Sequence, residues 1–301
     1  MNETLEIVQA PAAVPVTLAR VRLGDFWTLA KPGITAMVAV TAAVGYWVAA
    51  GGVEDWRLFL ALVGGTLLSA AGASALNMVL ERRLDARMER TRNRPLPAGR
   101  LGAAEAAVFG TALAVAGVAW LALAVHWLPA AISAATIASY LWLYTPLKTR
   151  TSLCTVVGAL PGALPPVLGW AAARGTLDAG ALVLFLILFF WQLPHFIALA
   201  WMYREDYARA GFPMLTVEDP TGGSAGRQAV LQTLALLVAS LLPAWAGMAG
   251  EGYLVAALVL GTGFLGFAAA FAVERSRGRA SGLFLASIAY LPLLLGALVL
   301  F

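Results

Sequence analysis

Residues 77–100 read NMVLERRLDARMERTRNRPLPAGR, and they mark the point where a long apolar stretch runs out of a membrane into charge. Asn77, Glu81 and Asp85 are spaced four apart, so at about 100° per residue each lies only about 40° round a helix from the last, on one face. Carboxylate and amide oxygens are hard ligands, suited to a Mg²⁺ ion that takes its remaining ligands from phosphate oxygens. Beside them stand Arg82, Arg83, Arg87, Arg90, Arg92, Arg94 and Arg100, able to neutralise the charge that one metal leaves on a diphosphate. Pro95 and Pro97 stop any helix, so the arginines from 90 to 100 are expected in a loop folding back over the helix end. Arginines after a membrane helix can simply fix topology, and acid and base four apart often make surface pairs. The three-residue series together with a polar loop of about 20 residues, long for a connection between packed elements, favours half of a diphosphate–Mg²⁺ site at the membrane surface.

Outward from this stretch the chain is apolar. Of its residues 61% are hydrophobic and 12% charged, and mean hydropathy is +0.82. Soluble domains carry about twice that share of charge, so a soluble enzyme is excluded. Nine stretches are long and apolar enough to cross a bilayer as helices: 32–50, 57–80, 103–123, 127–147, 152–173, 179–203, 228–248, 252–273 and 280–301. The expected fold is an all-α polytopic membrane protein, nine transmembrane helices around a central cavity open to the cytoplasmic side. Residues 25–301 form its single domain and 1–24 a cytoplasmic tail without the pattern of a cleavable signal.

Eighteen of the 20 Lys and Arg residues fall on the face that carries the 77–100 loop; only Arg57 and Arg174 fall on the other. That asymmetry places the N-terminus and the charged face in the cytoplasm, in a multi-pass cell inner-membrane protein. The same positive face suits an anionic substrate and anionic lipid headgroups. The single cysteine, Cys154, cannot form an intrachain disulfide. The run 158–169, GALPGALPPVLG, is expected to bend or interrupt the fifth span and to line an interior space.

Three further places carry chemistry. Lys31, before Pro32-Gly33, stands at the cytoplasmic boundary of the first span, either as a topology anchor or as a residue reaching the site. In SYLWLYTPLKTR, residues 139–150, Tyr144 and Lys148 share a helical face and can meet an anion together, or serve as an interfacial tyrosine and a snorkelling lysine. In WQLPHFIALAWMYREDYARAGFPML, residues 191–215, the helix end brings Tyr203, Arg204, Glu205, Asp206, Tyr207 and Arg209 to the same face as the first cluster. Two helices four apart in order, each ending in acids and arginines, suggest two related halves facing each other. His195 lies about 12 Å inside the membrane from Tyr203, and an ionisable group at that depth points to function, as haem ligand, base or hydrogen-bonding group.

These residues resemble the UbiA-type intramembrane prenyltransferase superfamily, whose type member prenylates 4-hydroxybenzoate, and within it the haem-farnesylating branch. The similarity covers nearly the whole chain from about residue 25. Asn77, Glu81 and Asp85 match the three positions of the superfamily's first acid-rich motif, with Glu81 where many members have Asp. RTRNRPLPAGR, YTPLKTRT, GALPGALPPVLGW and WQLPHFIALAWMYREDYARAG are more specific to the haem branch. The second acid-rich motif of the wider superfamily usually has several aspartates; here Tyr203 and Tyr207 flank Glu205 and Asp206, which argues against a second, symmetric Mg²⁺.

The resemblance implies farnesyl transfer from farnesyl diphosphate to a vinyl group of haem b, with addition of water. Asn77, Glu81, Asp85 and Asp206 are the implied metal-holding residues. Arg90, Arg94, Tyr144, Lys148 and Arg204 would serve the diphosphate, and His195 would hold or orient the porphyrin. The implied surroundings are membrane lipid and a haem-oxidising enzyme (haem A synthase) or terminal oxidase assembly, with no nucleic acid. The alternative is a prenyltransferase acting on an aromatic quinone precursor, which predicts a diphosphate site without haem binding.

Overall fold

The computed structural model describes residues 23–301, and all of the regular structure in them is helical. The expected tail lies outside the described residues except for Leu23 and Gly24, which open a short helix, α1 (Leu23–Ala30). The chain then runs through α2 (Pro32–Ala50), α3 (Trp56–Asp85), α4 (Ala103–Ala124) and α5 (Trp127–Ala138). A π-helical stretch, Ser139–Tyr144, continues α5 into α6 (Thr145–Leu147). The rest comprises α7 (Cys154–Arg174), α8 (Ala179–Met202), α9 (Arg204–Ala210), α10 (Leu215–Glu218), α11 (Gly223–Trp245), α12 (Glu251–Val273) and α13 (Arg277–Leu300).

Among the described residues eight helices are long and apolar enough to cross a membrane: α2, α3, α4, α7, α8, α11, α12 and α13. The expected span at 127–147 is helical throughout but divided, its ladder loosened where the Thr145 N–H reaches back five residues to the Tyr140 carbonyl. The extra residue of a π turn rotates the segment beyond it, which carries Thr145 and Lys148.

Helix ends follow local chemistry. Asp55 caps α3 by accepting from the amides of Arg57 and Leu58, and Asp178 caps α8 through Gly180 N–H. Inside the bundle, glycine sets the helix spacing. A Cβ on Gly72 would overlap the backbone of Gly110 and Ala114, and one on Gly117 the backbone of Ser69, so α3 and α4 touch along their main chains.

The Gly- and Pro-rich run does not interrupt its span. α7 is one uninterrupted helix with Pro161, Pro165 and Pro166 inside it, and it is the most buried of the eight spans. The glycines do not break it; they admit neighbours. Gly169 lies on the Ala42 carbonyl of α2, Gly45 of α2 on the Pro166 backbone, and Gly162 against the buried Gln192 amide of α8, which donates to the carbonyls of Ala159 and Leu188. Neighbouring helices and side chains supply what the prolines remove, as membrane-buried proline requires. Aliphatic and aromatic groups such as Leu123, Trp142 and Val273 remain exposed on the outside, a surface suited to lipid.

Candidate active site

Asn77, Glu81 and Asp85 occupy the last turns of α3, on one face, and all three are buried, Asn77 and Asp85 to 1% exposure. Buried charge must be paired. The Lys148 Nζ donates to Glu81 Oε1 at 2.5 Å, and the Arg94 Nη1 donates to Asp85 Oδ2 at 2.8 Å. The loop after α3 folds back to allow this: Thr91 donates its hydroxyl to the Asp85 carbonyl, and Arg100 Nε bonds Asp25 Oδ1 at 2.9 Å, tying the loop's far end to α1.

The orientation of Asn77 can be deduced. The Thr145 hydroxyl donates its only hydrogen to the Tyr140 carbonyl, so its oxygen can only accept, and the Asn77 Nδ2 donates to it at 3.1 Å. The Asn77 Oδ1 is thereby turned away from Thr145. One oxygen of each of the three side chains is uncommitted among the described residues: Asn77 Oδ1, Glu81 Oε2 and Asp85 Oδ1. The last is buried with no partner, a costly arrangement in a protein interior. No three His, Cys, Asp or Glu side chains cluster among the described residues. The donor set here is two carboxylates and an amide on one helix face, which fits a hard oxygen-seeking cation completed by phosphate oxygens.

Lys31 is the residue that sequence reasoning left open and the geometry brings in. It is the one non-glycine residue with positive φ among those described (φ 46°, ψ 62°), at the N-cap of α2 just before Pro32. Left-handed backbone costs a side-chain-bearing residue about 1–2 kcal/mol, and such strain gathers at functional sites. Among the described residues its ammonium has no carboxylate within ion-pairing distance, although Glu81, Asp85, Arg94 and Lys148 all act on it. Burial first, then the neighbouring Arg94 charge, lowers its pKa from the ordinary lysine value to about 8.

Asp206 stands across from α3, on the short helix α9 rather than on a continuation of α8, because Tyr203 breaks the helix there. Its carboxylate accepts from the backbone amides of Glu89 and Arg90, 3.3 Å each, and from Arg209. Burial opposes its charge, but those two N–H groups and the Arg209 guanidinium outweigh it and hold the carboxyl below the usual carboxylate range. Both oxygens are therefore engaged in fixing the loop after α3. A packed cluster of Met88, Cys154, Ala210, Phe212 and Met214 supports that junction from beneath.

The other candidate residues divide. Tyr144 lies under the Lys148 ammonium, 4.6 Å from ring centroid to Nζ, with Tyr140 stacked behind it. Arg90 and Arg204 are exposed and lie over the rings of Tyr203 (5.1 Å) and Trp201 (4.6 Å), outside the buried cluster. His195 is on the side of α8 that faces α13, where it meets Ser287, and it is not gathered with the carboxylate series.

Above Asn77 the same face of α3 continues through Ala73, Ala70, Ser69 and Thr66. These line a narrow cavity of about 40 Å³ closed by Val38, Ser133 and Pro165. That is room for about three water molecules. A larger cavity, about 360 Å³, lies between α7, α8 and α11, walled by Val156, Phe196, Ala200 and Thr216 and rimmed by Arg227 and Gln232.

A bundle of membrane-length helices with hard oxygen donors and cations gathered at one end is suited to transfer chemistry on a phosphorylated lipid within a membrane. The chain belongs to the UbiA prenyltransferase family, whose model matches residues 38–292. It is 48% identical over 285 residues to the protoheme IX farnesyltransferase of Solibacter usitatus (strain Ellin6076), across 92% of this chain and 98% of that one. Its fold matches a solved structure of digeranylgeranylglyceryl phosphate synthase at a TM-score of 0.78 and 16% identity, over 92% of this chain and 97% of that one. It also matches a UbiA homolog from Archaeoglobus fulgidus solved with GPP and Mg²⁺, at a TM-score of 0.63 and 15% identity, over 91% and 99%.

Proposed function

We propose that this prenyltransferase moves a farnesyl group from farnesyl diphosphate to a vinyl group of haem b, with water adding to give a hydroxyethylfarnesyl side chain. The observation that carries the diphosphate half is the buried face of α3, where three side chains each keep one oxygen uncommitted beside Lys31, Arg94 and Lys148. The identity to a protoheme IX farnesyltransferase along almost the whole chain supports the acceptor.

Asn77, Glu81 and Asp85 would hold Mg²⁺, which when bound neutralises charge on the diphosphate leaving group. Lys148 and Arg94 each neutralise one of those acids. With those acids holding the ion, Lys148 and Arg94 would be free to serve phosphate oxygens, and no buried charge would be left bare. Lys31, with no acid of its own among the described residues, adds a third cation. As the allylic C–O bond breaks, its electron pair leaves with the diphosphate and is stabilised by these groups. The vinyl π electrons then form the new C–C bond, and water adds to the resulting cation and releases a proton. Asp206 acts by fixing the loop that carries Arg90 and Arg94. The hydrocarbon tail would follow Ala73, Ala70 and Thr66 up α3, widening the narrow space there. The arginine and lysine asymmetry supports an orientation with this mouth on the cytoplasmic side of the membrane.

The test supplies membranes bearing the protein with haem b, farnesyl diphosphate and Mg²⁺. Mass spectrometry should find haem carrying farnesyl plus water, lost when a chelator is added. Prenylation of an aromatic quinone precursor in place of haem would overturn the acceptor.

A further inference from the structure

The cavity of about 360 Å³ between α7, α8 and α11 has no part in the chemistry above, and its lining changes character with depth. α11 starts at Gly223 on the charged side of the bundle, and Ser224, Arg227, Gln228 and Gln232 line the cavity from it. From Ser224 to Gln232 the helix rises about 12 Å. The Arg227 guanidinium turns back toward the helix start, its Nη2 donating to the Ser224 hydroxyl at 3.1 Å, so its charge sits at the outer end. It is exposed, and no carboxylate among the described residues lies within ion-pairing distance of it. Asp219, in the turn before α11, is engaged by the Thr221 hydroxyl and the amides of Gly222 and Ser224. One turn deeper, Gln232 Nε2 donates to Gln228 Oε1 at 3.1 Å, which leaves the Gln228 Nε2 without a partner among the described residues. The facing wall is apolar, from Leu193, Phe196 and Ile197 of α8 and Val156 of α7. Leu153 and Val156, at its edge, are exposed on the outside of the bundle, so the cavity is a groove reached from lipid.

A cation at headgroup level, an amide donor below it and an apolar wall beneath both follow the order of phosphate, glycerol ester and acyl chain in a phospholipid. Polar side chains facing hydrocarbon without a partner are unfavourable, and a lipid of this kind supplies the missing acceptors. We infer that the groove binds one anionic phospholipid from the leaflet on the charged side, with its phosphate on Arg227, an ester carbonyl oxygen on Gln228 and one acyl chain along Phe196 and Leu193. A zwitterionic lipid brings a cation of its own to Arg227, so the net negative headgroup is preferred. Met214 belongs both to this groove and to the packed cluster beneath the Asp206 junction, and the Thr216 hydroxyl ties the same segment to α8 by donating to the Ala200 carbonyl at 3.1 Å. An occupied groove therefore braces that junction from its lipid side.

The experiment is native mass spectrometry of the whole protein released from nanodiscs of phosphatidylglycerol and phosphatidylcholine in equal amounts, beside thermal unfolding in detergent with either lipid added. Wild type should retain one phosphatidylglycerol, favoured about 10-fold or more over phosphatidylcholine, and phosphatidylglycerol should raise its unfolding temperature. Arg227→Gln should cut the preference to less than about twofold and lose that thermal shift. Gln228→Leu should weaken retention of both lipids alike, because it removes an ester contact and no charge. Ala200→Leu, which narrows the groove, should expel the lipid. Arg277→Gln removes an exposed arginine from the same side of the bundle but outside the groove, and should change none of these readings. Equal retention of the two lipids by wild type, or the same loss in Arg277→Gln as in Arg227→Gln, would reduce the effect to the general charge of that side and overturn the site. Retention of haem b that Arg227→Gln abolishes, with lipid retention unchanged, would give the groove to the acceptor and overturn it as well.

Discussion

Asp85→Asn separates charge from shape at a donor buried as deeply as Asn77. The amide keeps an oxygen for the Arg94 guanidinium, which is itself only 23% exposed, so the loop retains its tether. At 2.8 Å and an effective dielectric of about 20 the lost attraction is about 6 kcal/mol, but most of it offsets the desolvation of two charges that the neutral variant no longer requires in full. The expected loss of stability is therefore about 1–2 kcal/mol, the difference between a charge-assisted and a neutral hydrogen bond. The catalytic loss is larger. Removing one preorganised electrostatic group typically costs about 10²–10³ in turnover, about 3–4 kcal/mol in the transition state. The assay is diphosphate release from farnesyl diphosphate in proteoliposomes across a Mg²⁺ titration, beside thermal unfolding of the same preparation. Turnover should fall at least 100-fold and the half-saturating Mg²⁺ concentration should rise, with the unfolding temperature lowered by only about 2–5 °C. Wild-type turnover and Mg²⁺ dependence in a folded Asp85→Asn protein would refute the metal role of this face.

Other residues give distinct readouts. Lys148→Ala leaves Glu81 buried without its cation and takes a positive group from the diphosphate, so KM for farnesyl diphosphate should rise at least 10-fold; an unchanged KM would reduce the lysine to a topology anchor. Lys31, with its pKa lowered to about 8, is charged below that pH, and an anion bound beside it pulls the pKa back up. Affinity for the diphosphate should hence be flat below pH 8 and fall as pH rises toward the ordinary lysine value, and Lys31→Arg should flatten the profile. Ala73→Leu should penalise farnesyl diphosphate far more than dimethylallyl diphosphate, whereas Ala200→Leu, in the α8–α11 cavity, should leave that preference alone; the reverse pattern would move the tail to the larger cavity. Gly72→Val would drive methyl groups into the Gly110–Ala114 backbone and should destabilise the bundle by at least about 1–3 kcal/mol, seen as a lower unfolding temperature in detergent.

Much of this arrangement was legible in the chain because its causes are local. The apolar runs announce themselves by length, and the four-residue spacing of Asn77, Glu81 and Asp85 puts them on one face of α3 regardless of what surrounds them. The pairing of each acid with its cation was not legible. It depends on a π turn at 139–144 and on a loop folding back through Thr91, and neither has a sequence signature as strong as a helix period. The proline-rich run misled for a related reason. Sequence shows the missing N–H groups but not the neighbouring helices that come close enough, at Gly45 and Gly169, to pack along a continuous α7. Lys31 could be weighed only evenly, since what draws it inward is a left-handed backbone that lysine seldom adopts. Arg90 and Arg204 looked equivalent to Arg94 in a string of arginines, yet stacking on Tyr203 and Trp201 holds them at the rim.

The decisive measurement is a structure of the protein soaked with Mn²⁺ and a non-hydrolysable farnesyl diphosphate analogue, phased on manganese anomalous scattering. The manganese peak should lie within coordination distance of Asn77 Oδ1, Glu81 and Asp85, with Lys148 moved from Glu81 onto a phosphate oxygen. A peak held by other residues, or a bound diphosphate with Lys148 still on Glu81 and no metal on this face of α3, would show that the chemistry is organised elsewhere.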